Sequence, residues 1–272
     1  MLKSIKKAIW PITLASVIIA LPFFIFGIFQ SFDVTRGAGD NNGVADGENL
    51  VENSPEEEEV ENEDVYVLTL GDSLARGTGD EENLGFAGRT VEKLEQALGV
   101  PIRHENYSLE GLQISEMIEQ LKNEELLGEI QKADMIMMSI GGNDLRGLRG
   151  LSDNERMNAV QEAENRYEED LDEAIRRIRE ENPEVLVVFL GLYNLDYSGE
   201  NLEETEILLR WNSITYQRIE EEGNFVWIPT YDLFQFRLSN TLSPDQLHPN
   251  GSGYEMIANR ITEVITPYFQ SD

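Results

Sequence analysis

From Val65 onward the chain alternates short apolar runs with longer stretches whose apolar residues recur every three or four positions, and few architectures tolerate that alternation. Val65–Leu70 (VYVLTL) runs into Gly-Asp-Ser and reads as a buried strand. Phe86, Thr90, Val91, Leu94 and Leu98 share one helical face, which Gly99 and Pro101 terminate. Ile102–Tyr107 reads as a second, weaker strand, helical turns are expected over 113–130, and Asp134–Ile140 reads as a third strand. A long helix should follow, opened by a Ser152/Glu155 capping box, with Met157, Val160, Tyr167, Leu171, Ile175 and Ile178 on its buried face and Pro183 at its end. Val185–Leu190 (VLVVFL) is apolar without a break, as a strand covered on both faces must be. A helix from Asn201 through Ile207, Trp211 and Ile214 precedes a fifth strand at Phe225–Ile228. A last helix, opened by Ser252 and Glu255, carries Ile257, Ile261, Val264 and Ile265. Strand–helix alternation of this length implies an α/β domain over residues 65–272, a parallel sheet with helices on both sides. In such sheets ligands gather beyond the carboxyl ends of the strands, so the loops there are where chemistry is expected.

The segment before Val65 is different in kind. Residues 9–29 carry no charge and follow Lys3, Lys6 and Lys7. At about 1.5 Å per residue this span makes a helix of roughly 30 Å, the thickness of a bilayer's hydrocarbon core. It is too long for a signal-peptide core and no A-x-A-like site follows directly. The expectation is therefore an uncleaved anchor over 1–29, with the lysines cytoplasmic and the downstream domain outside the cytoplasm in a single-pass arrangement. Residues 30–64, dense in Asp and Glu with Arg36 the sole cation, read as a self-repelling linker.

Composition removes several function classes. The chain has 52 Asp+Glu against 21 Lys+Arg, a net charge of −31, which argues against a nucleic-acid partner because phosphate contacts want cations. It has no cysteine, so thiol nucleophiles, disulfides and Cys-based zinc sites are excluded. Its two histidines are His104 and His248, and only these can supply an imidazole.

Four polar clusters fall in loops of the expected kind: Gly71-Asp72-Ser73-Leu74 after the first strand, Gly111 after the second, Gly141-Gly142-Asn143-Asp144 after the third, and Asp245-Gln-Leu-His248-Pro249 before the final helix. Serine needs an adjacent base to act as a nucleophile at neutral pH, and histidine is the side chain suited to take and return its proton. A carboxylate must fix the histidine's tautomer, and Asp245 can do so from the same loop. The backbone N–H groups of Ser73 and Gly111 and the side-chain amide of Asn143 could supply three donors to an oxyanion. Asp72, Asp144, Asp245 and His248 are a poor metal set, since a catalytic zinc site typically takes three protein N, S or O ligands and one histidine with no cysteine is thin support. Neither a P-loop nor a G-x-G-x-x-G motif stands at a strand–helix junction. No metal or other cofactor is expected. His104, within the weak second strand, is read as a structural or exposed histidine.

On these blocks the sequence resembles the SGNH, or GDSL-type, esterase/lipase hydrolases, whose Ser, Gly, Asn and His come from four separate motifs. Ser73, Gly111, Asn143 and His248 match them in order, with Asp245 as the triad carboxylate. The resemblance covers about residues 65–272 and extends to the membrane-anchored members of Gram-positive bacteria. It implies a flavodoxin-like three-layer α/β/α sandwich with five parallel strands, and an acyl-ester hydrolase. For substrate, Leu145, Leu148 and Leu151 are read either as walls of an acyl pocket or as residues packing a short helix. Arg146 or Arg149 would meet a phosphate or carboxylate. Phe234, Phe236 and Leu238 admit the same two readings. Acyl esters, including lipid esters, are the expected substrates. The alternatives are acetylated cell-wall or extracellular polysaccharide, and a surface-binding protein with a vestigial site.

Overall fold

In a computed structural model, residues 65–146, 148, 153–194 and 202–270 are described. The chain divides into two units, Met1–Glu59 and Val60–Asp272. The first lies outside the described residues, as do the expected anchor at 9–29 and linker at 30–64.

Five strands form one parallel sheet: β1 (Val65–Gly71), β2 (Ile102–Asn106), β3 (Met135–Ser139), β4 (Leu186–Leu190) and β5 (Phe225–Ile228), in the spatial order β2-β1-β3-β4-β5. The apolar runs end within a residue or two of these bounds. Because successive strand residues point to opposite faces, each run splits into two sets. Tyr66, Leu68 and Leu70 of β1, with Ile136, Met138, Val187 and Phe189, form one core against helices α3 (Ile114–Gln120), α4 (Glu124–Ile130), α6 (Asp153–Glu181) and α7 (Leu202–Glu220). Val67, Met135, Met137, Leu186 and Val188 form the other, against α2 (Gly85–Leu98) and α10 (Gly251–Phe269). Short helices α1 (Ser73–Arg76), α5 (Gly142–Arg146), α8 (Tyr231–Phe234) and α9 (Leu238–Thr241) lie in the connections. The result is the expected three-layer sandwich of flavodoxin-like strand order.

Local chemistry refines some of the expected boundaries. Asn123 accepts from the N–H groups of Glu125 and Leu126 and so starts a new helix, dividing the helical stretch over 113–130 in two. The last helix begins at Gly251 and not at Ser252/Glu255, because Asn250 in extended backbone accepts from Gly253 N–H as its cap. The capping residues expected at Ser152 and Asn201, and the side chains of Glu155 and Met157, lie outside the described residues.

Among the described residues no helix is long and apolar enough to cross a membrane. α6 has the length, at 29 residues, but acids and arginines run along it, and length without an uncharged surface does not span a bilayer. The expected single-pass placement in the cell membrane, with the domain outside the cytoplasm, is corrected accordingly.

Chain direction reverses between β1 and β3: the chain goes from β1 outward to β2 and returns to the far side as β3. A crevice at the carboxyl ends of those two strands is the outcome, and their following loops face it.

Candidate active site

Ser73 is delivered to that crevice by the end of β1. At Gly71, with φ of 137°, a Cβ would stand 2.0 Å from the Ser139 carbonyl oxygen, so only hydrogen fits where β1 meets β3. The next N–H, of Asp72, donates to that same oxygen at 3.0 Å. Asp72 then caps α1, its carboxylate accepting from Leu74 N–H at 3.0 Å and from the Ser139 hydroxyl at 3.4 Å. Gly77 in left-handed conformation closes the helix after one turn. Ser73 is thereby held half-buried at the start of α1. Burial pushes the Asp72 carboxyl up to about 6, a rise moderated by those two donors and by nearby His248.

The loop carrying His248 is tied at both ends. Leu242 and Pro249 form an antiparallel bridge, Ser243 N–H donates to the His248 carbonyl at 2.8 Å, and Tyr193 O–H donates to the Leu247 carbonyl at 2.6 Å. Inside it, Asp245 Oδ1 accepts from the Ser243 hydroxyl at 2.7 Å, Leu247 N–H at 2.8 Å and His248 N–H at 2.9 Å. Its Oδ2 faces His248 Nδ1 at 2.7 Å. Burial pushes the Asp245 carboxyl up, but the bonds from the His248 ring, the backbone and Ser243 outweigh it and hold the group well below the usual carboxylate range. An ionised carboxylate only accepts, so Nδ1 carries the hydrogen and Nε2 presents its lone pair. Nε2 stands 2.8 Å from Ser73 Oγ, a residue 175 positions away in sequence.

Asn143 is the second residue of α5. Its Nδ2 donates one hydrogen to the Leu112 carbonyl at 2.9 Å, and an amide nitrogen has a second to offer. Asp144 anchors the same turn by accepting from Ile114 N–H at 3.3 Å, and burial pushes its carboxyl up to about 6. Gly111, at φ of 75°, is exposed on the turn beside Leu112 and is not among the residues lining the cleft.

Ser73, Asn143 and His248 share a cleft of about 160 Å³. Leu145 and Leu148 line one part of it, with Arg146. Leu247 of the His248 motif lines it too, as do Leu192, Tyr193, Asn194, Glu204, Ile207 and Leu208, which lie in no sequence motif. Ser243 was also missed, although a hydroxyl two residues before an aspartate is a usable signal for a side chain that orients it. Arg149 and Leu151 lie outside the described residues. Phe234 is fully buried and stacked on Tyr193 with ring centroids 4.4 Å apart, whereas Phe236 is 88% exposed. His104, on β2, has its Nε2 2.9 Å from the Thr69 hydroxyl, and burial lowers its pKa.

A carboxylate, a neutral imidazole and a hydroxyl in hydrogen-bonded series let the hydroxyl lose its proton as it attacks an electrophile. Comparison with known proteins gives the family. A model of the GDSL-like lipase/acylhydrolase family matches residues 69–256. The protein YpmR of Bacillus subtilis is 29% identical over 211 residues, covering 75% of this chain and 82% of the relative. The spore germination lipase LipC of Bacillus licheniformis is 28% identical over 207 residues, covering 72% and 94% respectively. The crystal structure of the lipase Lip_vut3, from a goat rumen metagenome, superposes with a TM-score of 0.66 at 27% identity, covering 73% of this chain and 96% of that one. Matched over residues 69–256, the chain belongs to the GDSL-like lipase/acylhydrolase family and is a carboxylic ester hydrolase.

Proposed function

We propose that the protein cleaves acyl esters through Ser73 as nucleophile, His248 as general base and acid, and Asp245 as the group that orients the imidazole. The observation that carries this reading is the unbroken series Asp245 Oδ2, His248 Nδ1, His248 Nε2 and Ser73 Oγ, at 2.7 and 2.8 Å. Ser73 Oγ attacks the ester carbonyl carbon while its proton passes to His248 Nε2. The carbonyl oxygen becomes an oxyanion facing the N–H of Ser73 and the free hydrogen of Asn143 Nδ2. Collapse breaks the bond to the alcohol, which leaves with the proton from the imidazolium. Water then attacks the acyl-serine by the same route, and the carboxylic acid departs. The apolar side chains of Leu145, Leu148, Ile207 and Leu208 support an acyl chain as the group held in the cleft.

Labelling by a fluorophosphonate probe tests the reading. Wild-type protein should label, and Ser73→Ala should neither label nor turn over 4-nitrophenyl butyrate while keeping its circular dichroism and melting temperature. Labelling that survives in Ser73→Ala would remove Ser73 from the role. Asn143→Ala should lower kcat by about 100-fold with little change in KM, the signature of a group that serves the transition state. A series of 4-nitrophenyl esters separates the substrate classes: a preference for acetate alone would favour an acetylated glycan, and preference for longer chains a lipid ester.

A further inference from the structure

Among the described residues lining the cleft, Arg146 is the one lysine or arginine, and no described acid pairs with it. Arg146 follows Asn143 by three residues in α5, a spacing that puts both on the same side of one helical turn, and both line the cleft. The chain has 52 acids for 21 Lys+Arg, so carboxylate partners abound. Arg89, Arg103, Arg210, Arg218 and Arg260 all form ion pairs. Among the described residues no ion pair engages Arg146, although Glu204 lines the same cleft. Arg146 is exposed, and Leu145, Leu148, Leu192 and Ile207, which line the same cleft, carry no side-chain acceptor for a guanidinium. A guanidinium presents a planar fork of donors that fits a carboxylate or phosphate with two parallel bonds.

We propose that Arg146 selects esters bearing an anionic oxygen group close to the scissile bond, so that the natural substrate is an anionic amphiphile and not a neutral one. This rests on the hydrolase reading above and narrows its substrate class. The acyl chain lies along the leucines and Ile207, and the anion meets the guanidinium one helical turn from Asn143. In a protein of net charge −31 the surrounding field repels anions, so a local cation at the site favours binding one there.

Two matched substrate pairs test it. The acyl half is probed by the 4-nitrophenyl monoester of glutaric acid against 4-nitrophenyl pentanoate. The alcohol half is probed by 1-butyrylglycerol 3-phosphate against 1-butyrylglycerol. The readout is the ratio of kcat/KM for the anionic ester to that for its neutral partner, in wild type, Arg146→Lys, Arg146→Gln and Arg146→Glu. In one of the pairs Arg146→Gln should lower that ratio about tenfold, the size expected of a charged hydrogen-bonded contact that is partly open to water. Arg146→Glu should lower it further and Arg146→Lys should fall between Gln and wild type. The pair that responds shows which half of the substrate carries the charge. A ratio unchanged in both pairs, with neutral esters still hydrolysed, overturns the role of Arg146 and leaves the hydrolase reading intact. No hydrolysis of any of the four esters by wild-type protein overturns both.

Discussion

Asp72 exposes 5% of its surface, accepts from Leu74 N–H and the Ser139 hydroxyl, and has its carboxyl pushed up to about 6 by burial. In the unfolded chain an aspartate titrates near about 3.9. Between those values the native state binds more protons than the unfolded state, so stability falls as pH rises. The favourable contribution is fully present below about pH 4 and is lost as pH passes through the folded value. Asp72→Asn keeps an oxygen for the Leu74 N–H but cannot ionise. At pH 8 that variant should therefore exceed wild type in unfolding free energy by about 1–3 kcal/mol, and the gap should close toward pH 4. Asp245 responds with the opposite sign, its contribution being lost as pH falls, but it is present in both proteins and cancels in the comparison. Thermal melts from pH 4 to 8 would check this, and a wild type still ahead at pH 8 would contradict it.

At the scale of elements, the position of the His248 loop depends on Gly79. Its φ is 94°, and a Cβ there would meet the Pro249 carbonyl oxygen at 2.7 Å and His248 Cβ at 2.9 Å. Gly99, the left-handed cap of α2, has φ of 73° and nothing within 4 Å of a built Cβ. The pair separates backbone strain from steric displacement. Gly99→Ala should cost about 1 kcal/mol of stability and leave kcat/KM as in wild type. Gly79→Ala adds a clash, and it should lower kcat/KM by about tenfold or more, since a 1 Å misplacement of a reacting group has effects of roughly that order or larger. Steady-state kinetics on 4-nitrophenyl butyrate with parallel melts checks both, and equal kinetic losses in the two variants would deny Gly79 its part in seating the loop. Ser243 acts through the same loop: its hydroxyl is one of three donors on Asp245 Oδ1, and the other two are backbone.

Over the whole molecule, a net charge of −31 sets a term that no single contact shows. Like charges packed into a compact state repel, and salt reduces the repulsion over distances beyond about 8–10 Å near physiological ionic strength. The surface ion pairs weaken under the same screening, but exposed pairs contribute only about 0–1 kcal/mol each. The repulsion should prevail. Melting temperature should rise by several degrees between low salt and about 0.5 M sodium chloride, roughly 2–4 °C for each kcal/mol regained in a domain of this size. A flat or falling melting temperature would mean that the acids are locally balanced.

Strand runs such as VLVVFL and the glycine after α2 were legible because they act locally: burial on two faces demands an unbroken apolar run, and a left-handed cap favours glycine. The four motif blocks were legible for a related reason, since strand-end loops of a parallel sheet converge on one rim. Less local features were not. Ile207 and Leu208 reach the cleft from a helix whose periodicity marks only a buried face, and Asn250 displaced Ser252 as cap because the preceding bridge holds it extended. The membrane placement, read from residues 9–29, is the expectation that failed. By itself the sequence determined the order and type of the elements and the residues able to do ester chemistry, because periodicity and side-chain identity are properties of the chain. Tertiary structure alone decided which of them meet: the 2.8 Å between Ser73 and His248 arises from packing across a sequence separation of 175.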